Sequence, residues 1–138
     1  MTVYVVGTDG SDTAKIAARR AGDLAAATGA AIHVVSAYSG RGDVVTVGSE
    51  TFEVSGLNVA EEIAAQQAAA YRAAGLNATH SAGEGKPGSV ILQEAENVEA
   101  DLIVVGNRRM QGMQRVLGAV ANDVVHHAPC DVMVVKTV

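Results

Sequence analysis

The chain has 138 residues, enough for one domain with its own core and too few for two of ordinary size. Apolar residues make up 49% and charged residues 18%, with one Phe and no Trp, so the core must be aliphatic, built from Val, Ala, Ile and Leu. A formal charge of −5, with basic residues adjacent only at Arg19-Arg20 and Arg108-Arg109, argues against a nucleic-acid partner. The longest apolar stretches are strand-sized, so no membrane span is expected. The N-terminus lacks the basic region, long apolar core and cleavage site of a secretory leader. The single cysteine, Cys130, reads as a small hydrophobe, and a reducing cytoplasm is the expected setting.

Residues 3–8 form a β-rich run ended by Asp9-Gly10-Ser11, a buried strand followed by a turn. A helix is predicted next. Ala14, Ala17, Ala21, Leu24 and Thr28 recur at helical steps, Ser11 or Asp12 suits the cap, and Gly29 suits the left-handed position after the end. Ala31 to Ala37 is the second strand. The stretch 39–56 has no helical period and is expected to be a long loop, with 44–47 as a short extended piece. Asn58 with Glu61 resembles a capping box, opening a second helix over 59–74 that ends at Gly75. A weak third strand is expected over 77–82.

A third helix starts near Pro87, with Val90, Ile91 and Ala95 turned to the sheet. Asp101 to Gly106 is the clearest strand, a continuous aliphatic run of the kind covered on both faces. A loop rich in Arg and Gly, 107–118, leads to a fourth helix from about Ala119 to His127, and Pro129 separates it from the last strand, 131–136. Five strands alternating with four helices imply an α/β fold with a five-stranded parallel, doubly wound sheet, in one domain over 1–138.

In such a sheet the ligand crevice lies beyond the carboxyl ends of the strands, where strand order reverses. Two segments compete for that place: Gly7 to Ser11, and Gly106 through the loop to Gly118-Ala119. Each offers small residues, backbone N–H groups and the start of a helix, which together favour an anion. Taken alone, Asp9 serves equally as a turn or cap residue, Gly106 and Gly118 as turn glycines, and Arg108 with Arg109 as a solvated pair. His126 and His127 suit the end of a helix dipole rather than a metal. The run from Gly83 to Ser89 has the wrong Gly-to-Lys spacing for a phosphate loop and reads as a turn into the third helix.

The opening 5–11, the run 101–106 and the ending His127 to Cys130 before a final aliphatic strand resemble the universal stress protein family from end to end. The resemblance implies a parallel five-stranded sheet, a homodimer pairing through the last strand, and an adenine-nucleotide site without efficient catalysis. Nucleotide-binding members carry Gly-x2-Gly-x9-Gly-Ser/Thr after the fourth strand. Here Gly106 matches the first glycine, Arg109 stands at the second, Gly118 matches the last with one residue fewer in the spacer, and Ala119 replaces the Ser/Thr. By resemblance Asp9 holds the base, Ala37 lines the pocket, Thr8 and Val105 flank it, and Gly7, Arg108 and Val120 complete the site. ATP, AMP or cyclic AMP is the expected ligand, with Mg2+ only alongside ATP. The alternative from a different class is a dimeric stress-response interaction module that binds no nucleotide.

Overall fold

A computed structural model describes residues 1–40, 43–108 and 117–137. Strand β1 (Val3–Gly7) is followed by helix α1 (Asp12–Thr28) and strand β2 (Ala31–Tyr38). Ser11 caps α1 by accepting the Ala14 amide, and Gly29 takes φ 77 beyond its end, the left-handed conformation that costs a glycine little. Helix α1 buries Ala17, Ala18, Ala21 and Ala25. That stripe lies slightly around the helix from the predicted one, so Leu24 packs only at its margin.

The expected long loop is corrected: β3 (Asp43–Val47) and β4 (Glu50–Val54) pair antiparallel across Gly48-Ser49. The β-branched and aromatic content of both segments supplies the strands, and Gly48 at φ 65 supplies the positive φ that a two-residue hairpin turn requires. Helix α2 spans Gly56–Ala73. It starts three residues before the predicted site, because Ser55 rather than Asn58 is the cap; the Ser55 hydroxyl accepts from the Asn58 amide. After α2 come β5 (Ala78–Glu84), α3 (Pro87–Asn97), β6 (Leu102–Gly106), α4 (Ala119–His127) and β7 (Asp131–Val135).

The main sheet is five-stranded in the order β5-β2-β1-β6-β7, and every pairing within it is parallel. Its central strands carry the fully covered residues Val5, Val6, Ile103 and Val104, as continuous aliphatic runs require. One face packs on α1 and α2 through Tyr4, Val6, Ile32 and the alanine stripes of both helices. The other packs on α3 through Val90, Ile91 and Ala95, and on α4 through Ala121 and Val124. Alanines let helices lie close to the sheet where bulkier side chains would hold them off. Strand β5 reads weakly in sequence because it is an edge, with Thr79 and His80 exposed.

The chain steps from β1 outward to β2 and β5, then crosses back to the other side of β1 to lay down β6 and β7. The strand order therefore reverses between β1 and β6. Their carboxyl ends, Gly7 and Gly106, mark the floor of the crevice.

Candidate functional site

At that switch point a cleft of about 400 Å³ opens, within the usual range of small-ligand sites, roughly 300–1,000 Å³. The residues after β1, after β6 and at the start of α4 meet there. Gly7, Thr8, Asp9, Ala37, Val105, Gly106, Arg108, Gly118, Ala119 and Val120 all line the cleft. The predicted Arg109 lies outside the described residues.

The glycines at the floor leave little room for a side chain without movement of a neighbour. A Cβ on Gly7 stands 2.3 Å from Ile91 Cδ1, and one on Gly106 stands 3.2 Å from Thr137 Cγ2. Thr8 is buried, its amide donates to Val35 O at 2.9 Å, and its hydroxyl accepts the Gly10 amide at 3.1 Å. These bonds hold the turn that presents Asp9. Asp9 Oδ1 accepts the Ser11 amide at 2.9 Å, and Oδ2 accepts from Arg108 Nη1 at 2.8 Å. Partial burial raises the Asp9 pKa, but the Ser11 hydrogen bonds and the Arg108 charge outweigh it and hold the carboxyl below its ordinary value.

The helix starts set the electrostatics. Helix α1 is capped by Ser11, whereas α4 begins at Gly118 with no side-chain cap. Its first intrahelical bond runs from the Asn122 amide to Gly118 O, so the amides of Ala119, Val120 and Ala121 have no partner within the helix. Those three residues line the cleft. The first turn of α3 also reaches it, through Pro87 and Ile91. Uncapped amides and the positive end of a helix dipole make this corner favourable to an anion, and Arg108 brings a positive charge that is paired here with the Asp9 carboxylate.

Sequence reasoning missed Thr13, Ala14, Val35, Pro87, Ile91, Ala121 and Thr137 as lining residues. Pro87 and Ile91 carry a weak signal, since the start of a helix after a parallel strand faces the same crevice. Thr137 carries none. It is placed by Asn107, whose Oδ1 accepts both the Thr137 amide at 2.7 Å and the Thr137 hydroxyl at 3.1 Å, while the Asn107 amide donates to Val135 O. The segment after β7 thereby becomes one wall of the cleft. A wider groove of about 780 Å³ runs between α1 and α2 and meets the cleft at Thr8 and Asp9, but it is lined by the sides of helices rather than by their starts.

Fold and site together define a doubly wound α/β domain with a cleft at its switch point. The universal stress protein family profile matches residues 2–136, nearly the whole chain, and the chain belongs to that family. It is 42% identical over 91 residues to the universal stress protein Slr1101 of Synechocystis, an alignment covering 64% of this chain and 79% of that protein. It is 31% identical over 141 residues to a putative universal stress protein of Staphylococcus aureus strain USA300, covering 96% of this chain and 82% of the relative. Among solved structures, a universal stress protein in complex with cAMP superposes with a TM-score of 0.78 at 31% identity, over 99% of this chain and 98% of that one. Among the described residues no helix is long and apolar enough to cross a membrane.

Proposed function

We propose that this universal stress protein domain binds an adenine nucleotide in the switch-point cleft and serves as a regulatory stress-response module without efficient catalysis. The observation that carries the reading is the uncapped start of α4, whose first three residues, without an amide partner inside the helix, line a cleft that also holds Asp9, Ala37 and Arg108. Asp9 accepts a ligand N–H or O–H, and Ala37 and Val105 pack on the base. Gly106 lets the backbone approach closely, and the amides of Ala119 to Ala121 take the phosphate. The solved cAMP complex at 31% identity supports a nucleotide with a single phosphate. So does the replacement of the motif hydroxyl by Ala119, which removes one phosphate contact. AMP and cyclic AMP are therefore favoured over ATP, and Mg2+ enters only with ATP.

Titration calorimetry of AMP, cyclic AMP, ATP and adenosine into the purified protein, with Asp9→Ala alongside, tests the reading. Binding that weakens in Asp9→Ala with an unchanged fold is the expected result; no binding of any of the four overturns it. In that event the dimeric interaction module without nucleotide becomes the better reading, and one observation favours its dimer independently. Strand β7 is an edge whose Val132, Met133 and Val134 are only partly covered, a surface suited to pairing with a second copy. Light scattering at micromolar concentration is expected to give a homodimer mass, and a monomer mass refutes that assembly.

A further inference from the structure

Asp9 and Arg108 stand 99 positions apart in sequence, on opposite sides of the switch point, yet form a 2.8 Å ion pair within the cleft lining. The pair occupies Asp9 Oδ2, while the Ser11 amide occupies Oδ1. A ligand hydrogen bond to Asp9 either adds to these two partners or displaces Arg108, the partner that does not belong to the Asp9 turn itself. Arg108 lies two residues beyond Gly106 and lines the same cleft as Gly118 and Ala119, where the phosphate is assigned. Both side chains are more than half exposed, at 63% for Arg108 and 58% for Asp9, so the guanidinium is lightly held and free to turn.

We propose that Arg108 is an exchangeable counter-ion that leaves Asp9 for the phosphate of the entering nucleotide, so that the site selects a phosphorylated nucleoside over the bare nucleoside. The inference rests on the nucleotide reading above and adds the source of its selectivity. A nucleoside breaks the ion pair and offers the guanidinium nothing in return. A nucleotide breaks the same pair but supplies a stronger, charge-assisted partner with two oxygens matched to the planar fork. Arg108 thus acts against one class of ligand and for the other, although it is the same side chain in the same place. A residue that merely lined the wall would change both affinities in one direction.

The test is the pair of affinities, for adenosine and for AMP, measured by calorimetry at two salt concentrations on the parent, Arg108→Met and Arg108→Lys. In Arg108→Met, AMP binding is expected to fall by about tenfold or more, because a hydrogen bond to a charged group is lost. Adenosine binding is expected to rise by roughly two- to fivefold, because an exposed ion pair no longer has to be broken. Arg108→Lys keeps the charge without the fork and is expected to fall between the two for both ligands. In the parent, added salt is expected to weaken AMP and to strengthen adenosine, since it screens the phosphate contact in one case and the competing pair in the other. Equal changes for both ligands in Arg108→Met, in either direction, or salt slopes of the same sign overturn the exchange and leave the nucleotide reading standing. Failure of the parent to bind either ligand overturns both.

Discussion

Adding a hydroxyl at the start of α4, by Ala119→Ser, gives the sharpest quantitative expectation for the proposed phosphate site. Ala119 is the exposed first residue of α4, so an added Oγ meets no packed core and the folded state accommodates it. The cost to the helix is a propensity difference of about 0.5 kcal/mol or less. A hydrogen bond to a charged phosphate contributes about 1.5–3 kcal/mol, and each 1.4 kcal/mol is tenfold in affinity, so AMP and ATP are expected to tighten by roughly 10- to 150-fold. Adenosine, with no phosphate, is expected to bind as it does to the parent. Calorimetry of the three ligands against parent, Ala119→Ser and Ala119→Val separates the hydroxyl from the added bulk, because Val enlarges the side chain without a donor. An equal gain for adenosine, or the same gain in Ala119→Val, refutes the assignment of the α4 start as the phosphate cradle.

Other expectations follow from the same geometry. Gly7→Ala forces its Cβ to within 2.3 Å of Ile91 Cδ1, so Ile91 must turn or α3 must shift; a loss of about 1–3 kcal/mol in chemical denaturation is expected, and an unchanged midpoint refutes the close packing of α3 on β1. Asn107→Ala removes the acceptor of two hydrogen bonds that dock Thr137; amide hydrogen exchange at Lys136 and Thr137 is expected to accelerate while β1 and β6 stay protected, and uniform protection across all of them refutes the clamp. The depressed pKa of Asp9 fixes a sign. Its partners bind the charged form, so their contribution to stability is present above the unfolded carboxylate value of about 3.9 and is lost as pH falls through the lower folded value. The stability difference between parent and Asp9→Ala is therefore expected to be constant from about pH 5 to 7 and to shrink below about pH 4; a difference that grows on acidification overturns the ion-pair account.

Local signals in the sequence are strong wherever backbone chemistry alone decides the structure. Ser11 at the start of α1, Gly29 beyond its end, Pro87 opening α3 and the aliphatic run of β6 were each legible because cap, left-handed φ, fixed φ and two-sided burial depend on near neighbours. Alternation of those elements was enough to give the parallel, doubly wound sheet, and with it the crevice where ten of the eleven proposed site residues meet. The hairpin of β3 and β4 escaped, although its strand residues and Gly48 were visible, because a two-stranded unit has no periodic partner elsewhere in the chain to announce it. Other features were decided only by tertiary structure. The Asp9–Arg108 pair joins residues 99 apart, and no local pattern specifies which of the adjacent arginines reaches across. Thr137 enters the cleft only because β7 lies beside β6 and brings the chain end within reach of Asn107. The sequence by itself determined the strands and helices of the main sheet and which turns follow β1 and β6, since these depend on steric and hydrogen-bonding preferences of a few consecutive residues. Which side chains face one another across the switch point was settled by strand order and register, which exist only once the whole sheet is assembled.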